Sequence, residues 1–314
     1  MQAGPTHYHK SIVLDDASLL PPAASCPWCG GLDRQAIATI QKQPEVLLLE
    51  CSTCHASSAS RMPTPQALDA YYGNYYDGAS AAEHAQTEGR VTIGDAARMG
   101  AHLASSLGSI EGKTSLRILD FGGGDGMLAV LAAENFMKAN PALREVAVTV
   151  VDYNTQMHQP SNPAITVRGA TKLTELGDST YDFVIASAIL EHIPDCAGLL
   201  RDLLTRVASG GSFYLRTPYA APFMRLAEKL GKSWDFTFPA HVHDLGQAFW
   251  EGYFTANGND KLFAIKSSRP SIVQASMSER PVEAIISHLF KLPWHLLGRA
   301  WGFVGGWEIT VTRR

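Results

Sequence analysis

The spacing of apolar and polar residues along this chain switches repeatedly between the period of a helix and that of a strand. Residues 91–108, VTIGDAARMGAHLASSLG, are apolar at helical spacing, which predicts a helix laid on a sheet. Leu116, Ile118 and Leu119 then read as a short buried strand that ends in an acid, Asp120, and glycines follow at alternate positions, Gly122, Gly124 and Gly126. MLAVLAAENFMKAN returns to helical spacing and stops at Asn140, just before Pro141. Further strands are predicted from the β-branched run Val146 to Val151, which ends at Asp152, from ITVRGATKL, from Tyr181 to Ala186 and from GGSFYLRTP. Leu262 to Lys266 and Trp307 to Thr312 add two more, with a Trp- and Leu-rich insertion at about 276–306 between them.

The strand, glycine turn and helix around Asp120 are built for close contact, because glycine lets a ligand approach the main chain with no Cβ in the way. A dinucleotide fingerprint, G-x-G-x-x-G counted from Gly122, fails at Met127, which would crowd the helix against the strand. The pattern that remains, D-x-G-x-G-x-G after a strand, resembles motif I of the class I S-adenosylmethionine-dependent methyltransferases. The resemblance covers roughly residues 90–220 and includes LEHIPD after the fourth strand. It implies an α/β fold, a Rossmann-like sheet with helices on both faces. It also implies that Asp120, Gly122, Gly124 and Gly126 hold the methionine moiety and that Asp152 takes the ribose hydroxyls, since one carboxylate offers two acceptor oxygens to two hydroxyls. Tyr153 would lie against the adenine and Ala186 would border the cofactor from the end of the fourth strand. Family members often place an aspartate after the third strand, whereas this chain has Ala170 and Thr171, which leaves the adenine amine to Thr171 or to backbone groups.

Four of the five cysteines form two C-x-x-C pairs, Cys26 with Cys29 and Cys51 with Cys54. The residues between the pairs, 30–50, slightly exceed the usual zinc-ribbon spacing, and two thiolate pairs at turns suit a closed tetrahedral Zn²⁺ that folds a small module and takes no part in chemistry. Cys196 stands alone and reads as an inert small residue. The pairs, a proline-marked turn and then the tyrosine-rich ALDAYYGNYYDG are similar to bacterial methyltransferases with an N-terminal zinc module, including sugar C-methyltransferases. That resemblance implies a tyrosine lid over the cofactor, with Tyr72, Tyr75 and Tyr76 as candidates, since aromatic faces receive a sulfonium well.

Two histidines are candidates for a base. His192 lies in the turn after the fourth strand, where open α/β sheets bind ligands, and His241 stands at the histidine position of the sugar C-methyltransferase Tyr-x-Glu-His stretch. Phe238 and Ala240 replace the tyrosine and glutamate of that stretch, so methylation at oxygen with His192 or His241 as base is expected over methylation at carbon.

Charge and composition narrow the partners. The chain has 314 residues, 46% of them apolar, and a net charge of −4, which suits one large domain with a small module and argues against a polyanion partner. A small-molecule or glycan-type acceptor is therefore expected over RNA, with a non-catalytic scaffold as the remaining alternative. The N-terminal run lacks a signal-peptide layout and no apolar run reaches membrane-spanning length, so a cytoplasmic protein is expected. His288, Lys291, His295 and Arg299 interrupt the late insertion, whose candidate roles are packing, a dimer surface, a lid or weak interfacial membrane contact. The expected organisation is an arm at 1–25, a zinc ribbon at 26–60, a tyrosine-rich lid and leading helix at 61–112, and the cofactor-binding core at 113–314.

Overall fold

Strand-period alternation sorts the core side chains onto two faces. Leu116 and Ile118 point into one hydrophobic cluster with Phe183, Ile185 and Tyr214, while their neighbours Leu119, Val184, Ala186, Phe213 and Leu215 point into another. The computed structural model, which describes residues 11–76, 96–107, 110, 112–154, 156–256, 258–273, 275, 277 and 280–314, shows what these faces build.

A front sheet holds β1 (Arg34–Gln41), β2 (Val46–Cys51) and β3 (Ser57–Ala59), antiparallel in turn. The central sheet holds β4 (Ser115–Phe121), β5 (Glu145–Val151), β6 (Ile165–Ala170), β7 (Tyr181–Ser187) and β8 (Val207–Tyr219). After them come β9 (His243–Asp244), β10 (Phe263–Pro270) and β11 (Gly305–Arg313). The central order is β10-β11-β8-β7-β4-β5-β6, seven strands, and the front order is β1-β2-β3-β9. In the central sheet only β11 runs antiparallel to its neighbours. From β4 the chain winds outward through β5 and β6, then crosses to β7 on the other side. The carboxyl end of β4 is thus the switch point at which such sheets bind ligands.

Helices cover both faces, as the α/β expectation requires. Before β4 come α1 (Pro65–Tyr76) and α2 (Ala96–Leu107), and α3 (Met127–Ala139) follows the glycine turn. Later come α4 (Cys196–Thr205), α5 (Ala221–Lys229) and α6 (Gln247–Thr255). Leu103 and Leu107 of α2 pack with Ala129, Ala133 and Phe136 of α3 on one face, and Leu200, Leu203, Phe249 and Trp250 fill the other. Each such large side chain taken fully out of water contributes about 1.5–3 kcal/mol.

The late insertion forms α7 (Pro281–Lys291) and a short turn of helix between β10 and β11. Its Val282, Leu289, Leu292 and Leu296 are exposed. Among the described residues no helix is long and apolar enough to cross a membrane.

Candidate functional site

Backbone geometry makes the turn after β4 a cradle. Gly122, Gly124 and Gly126 take φ of 71°, 62° and 80°, the left-handed region that a side chain disfavours. The Gly122 amide donates to the Val151 carbonyl at 2.9 Å and the Gly126 amide to the Gly123 carbonyl at 2.9 Å, so the turn is tied to β5 and closed on itself before α3 begins. A Cβ on Gly122 would stand 2.5 Å from Ile189, one on Gly123 2.3 Å from the Asp120 carboxyl, and one on Gly126 2.6 Å from Val150. At Gly124 a Cβ would meet nothing within 4 Å, so this is the open side of the cradle.

Two carboxylates flank that opening. Asp152, just past β5, accepts the Gly124 amide on Oδ2 and the Asn154 amide on Oδ1, both at 2.9 Å. Asp120 is 3% exposed, and burial, followed by the nearby Asp152 and Asp125, pushes its carboxyl up to about 7. Tyr153 is 77% exposed beside Asp152. Ala186 is fully buried with its methyl in the core, so only its backbone can face a ligand. Thr171 gives its hydroxyl to Glu175 at 2.7 Å and its amide to the same oxygen at 3.1 Å. Tyr76 ends α1, and its side chain, like that of Tyr75, lies outside the described residues.

The two candidate bases, far apart in sequence, meet in space. The turn Ala188 to Ile193 leaves β7 with Ile189 lying against Gly122, and His192 follows three residues later in the same turn. The Val242 amide donates to the Glu191 carbonyl at 2.8 Å and draws the later segment in, so the imidazoles of His192 and His241 lie 4.8 Å apart, centroid to centroid. His192 Nδ1 donates to the Ala240 carbonyl at 2.9 Å, with the Tyr72 hydroxyl at 3.2 Å from the same nitrogen. His241 Nδ1 is 2.7 Å from the Thr237 hydroxyl.

Glu191 is the member of this group that sequence reasoning missed. Its side chain is 2% exposed with Oε1 at 3.9 Å from His192 Nε2, and burial pushes its carboxyl up to about 8. In the sequence it is one acid in a loop-like hexapeptide, and only the packing around it sets it apart. His243 and Asp244 turn away from the group. His243 bonds Ser58 at 2.8 Å and the Ile193 carbonyl at 3.1 Å, and Asp244 accepts the amides of Ala220 and Ala221 at the start of α5.

Next to His243, whose ring lies 5.5 Å from that of Trp28, the four cysteines converge. Cys26 and Cys54 sulfurs are 3.6 Å apart, Cys29 and Cys51 3.5 Å, and all four lie within 4.8 Å of one another. Bonds of about 2.3 Å to a tetrahedral ion would space sulfurs about 3.8 Å apart, so this donor set fits Zn²⁺. The two knuckles are copies of one turn: Gly30 donates to the Cys26 carbonyl and His55 to the Cys51 carbonyl, each at 2.9 Å and each with φ above +60°. The hydrogen bond from Cys54 draws the Cys26 thiol down to about 5, while that same bond raises Cys54 and burial raises Cys29, so the sulfurs share protons among themselves. Trp28, between Cys26 and Cys29, packs edge-on against Phe249 and Trp250 and ties the knuckle to the main core.

Seven strands with one reversed near the edge, and a glycine cradle at the switch point, define an α/β protein that takes its ligand outside the carboxyl ends of the sheet. Residues 96–258, just over half of the chain, match the methyltransferase domain family. The chain belongs to that family of class I, S-adenosylmethionine-dependent methyltransferases. Among solved structures it is similar to an S-adenosylmethionine dependent methyltransferase from Mesorhizobium loti, with 19% identity, coverage of 71% of this chain and 100% of that one, and a TM-score of 0.43. It is also similar to the plantazolicin methyltransferase BpumL solved with SAH (S-adenosylhomocysteine), with 12% identity, coverage of 77% and 93%, and a TM-score of 0.45. No curated protein matches.

Proposed function

We propose that the protein transfers the methyl group of S-adenosylmethionine to an oxygen of a small-molecule or glycan-type acceptor in the cytoplasm. His192 and His241 deal with the acceptor's proton, and Cys26, Cys29, Cys51 and Cys54 hold a structural Zn²⁺. The observation that carries the reading is the path from Gly122 through Ile189 to His192: the side chain that covers the cofactor cradle belongs to the turn that bears the first base.

S-adenosylmethionine supplies a methyl group already activated on a sulfonium. The chain's task is alignment, which can contribute up to roughly 7–11 kcal/mol, and proton removal, which adds about 10²–10⁴-fold. Asp120 and the glycine amides receive the methionine moiety, Asp152 exchanges its bond to Gly124 for the ribose hydroxyls, and exposed Tyr153 closes on the adenine. Thr171 reaches the adenine edge by giving up Glu175, the Ala186 backbone borders the cofactor, and Tyr76 at the end of α1 serves the lid. The test is S-adenosylhomocysteine formation with phenols, catechols and sugars, and in parallel with tRNA and rRNA. Turnover is expected with the small acceptors, and turnover confined to RNA would reject the reading.

Asp152→Ala is expected to weaken cofactor binding by ~1.5–3 kcal/mol, the range for hydrogen bonds to a charged group. Calorimetric titration with S-adenosylhomocysteine measures it, and an unchanged affinity would remove Asp152 from ribose recognition. Asp120 gives the binding a pH dependence of definite sign. Its folded pKa is raised to about 7, so below that value the carboxyl is neutral and the cationic cofactor must displace a proton. Affinity for S-adenosylmethionine is expected to fall by up to about tenfold per pH unit on acidification below 7 and to level off above it. Asp120→Asn should flatten this profile, and a wild-type slope in that variant would assign the proton elsewhere.

A further inference from the structure

We infer that Glu191, His192 and His241 form a binding site for a divalent first-row metal ion, and that the acceptor presented to it carries two neighbouring oxygens, as in a vicinal diol or a catechol. The inference rests on the oxygen-methylating reading above and gives the two histidines a more specific task.

Convergence is the first ground. Each of the three residues offers one ligand atom and these atoms lie within 4.8 Å of one another, with Glu191 Oε1 at 3.9 Å from His192 Nε2. Bonds of about 2.1 Å would bring neighbouring ligands to about 3 Å, a closure within reach of imidazole rotation.

The second ground is the direction of the lone pairs. The Ala240 carbonyl can only accept, so His192 Nδ1 carries the hydrogen and the lone pair sits on Nε2. The Thr237 hydroxyl donates to the Phe236 carbonyl at 2.5 Å, so toward His241 Nδ1 it accepts, and there too the lone pair falls on Nε2. An outer hydrogen bond on one nitrogen that fixes the tautomer and aims the other is the usual support of a metal-ligating histidine.

Glu191 supplies the third. Its Oε2 is buried with no hydrogen-bond partner among the described residues. An acid oxygen out of water and without a hydrogen bond is unfavourable; the nearby charge of Arg216 offsets this only in part, and a cation bound directly to the oxygen removes the penalty. A simple bracing role for the LEH turn leaves that oxygen unexplained.

Chemistry then selects the ion and the acceptor. Two imidazoles and one carboxylate suit Mn²⁺, Fe²⁺, Co²⁺ or Zn²⁺ over Mg²⁺ or Ca²⁺, and three protein ligands leave positions open, unlike the four-thiolate site. Two adjacent oxygens of one acceptor can fill two of those positions, which a lone alcohol cannot. A divalent ion lowers the pKa of a hydroxyl that reaches it. The proton so released passes to solvent water, the oxygen left on the ion bonds the methyl carbon, and the carbon–sulfur bond breaks to leave neutral S-adenosylhomocysteine. The histidines hold the ion and do not take the proton themselves.

Mn²⁺ is the probe, because thiolates take it poorly. The full-length protein, with its cysteine-site zinc content measured before and after, is titrated with Mn²⁺ by electron paramagnetic resonance. One Mn²⁺ per chain is expected, with at least tenfold weaker binding in Glu191→Gln and in His241→Gln, while zinc content and S-adenosylhomocysteine affinity stay as in the wild type. Methyl transfer to catechol is expected to drop at least tenfold after mild chelation that spares the zinc, to return with Mn²⁺, and to exceed transfer to phenol. Absence of Mn²⁺ binding, or methyl transfer indifferent to chelation, overturns the inference and leaves oxygen methylation standing. Mn²⁺ bound in the absence of any methylated acceptor would instead defeat the oxygen-methylating reading.

Discussion

Gly122→Ala is expected to reduce S-adenosylhomocysteine affinity by at least 100-fold and to disturb the histidine turn together with it. Two penalties fall on one methyl group. Residue 122 sits at φ 71°, where an alanine is strained by roughly 1–2 kcal/mol, and its Cβ would lie 2.5 Å from Ile189 Cγ1 and 2.8 Å from Ile189 Cβ. Neither atom is the far end of a flexible chain, so the turn carrying Glu191 and His192 must move, and overpacking of this kind costs about 1–3 kcal/mol. Gly124→Ala provides the contrast: φ is 62° but no atom lies within 4 Å, so the empty protein should bear only the backbone strain. Thermal melts of both variants and calorimetric titration with S-adenosylhomocysteine check the pair. Wild-type affinity in Gly122→Ala would mean that the cradle does not hold the cofactor in the way described.

Cys51→Ser is expected to abolish zinc binding at the proposed four-cysteine site and to lower the melting midpoint on the order of 10 °C, the shift for about 3–5 kcal/mol in a chain of this size. The effect is large because this position closes β2 and is fully buried, in the same hydrophobic cluster as Phe249, Trp250 and Leu215 of the central core. Loss of this thiolate opens the four-sulfur site as a whole, so the opposite knuckle, Cys26 to Cys29, loses its anchor as well, and Trp28 within it is the contact with α6. Metal analysis and a thermal melt decide it, and a fully metalled variant of unchanged midpoint would remove the structural ion from the account.

The central fold was legible because its strands and helices carry strong periodic patterns and the glycine turn marks where they meet. Strands expected at 116–120, 146–151 and 181–186 lie within β4, β5 and β7, and the helix read from MLAVLAAENFMKAN is α3. The front sheet was hard to read for the opposite reason. β1 alternates imperfectly, with register shifts against β2, and β9 is two residues long, too short for any period. The candidate site residues divide in the same way. Asp120, the alternate glycines and Asp152 announce their places because strand ends locate them, and the structure sets Asp152 against the turn. Gly123, skipped in counting alternate positions, proves to abut the Asp120 carboxyl. Glu191 carries no local signal at all, since its distinction is burial beside histidines, one of them supplied by a distant stretch of chain.

His243 and Asp244 pair with Ser58 and Ser57 as the edge of the front sheet, two residues after His241. The loop that bears His241 therefore takes its bearings from the cysteine-bearing end of the molecule, while the glycine turn is framed by β4 and β5. On the proposed reading, donor handling and acceptor choice would thus be anchored to different parts of the chain, and substitutions in the front sheet would retune which hydroxyl is presented while the grip on the methyl source stays intact.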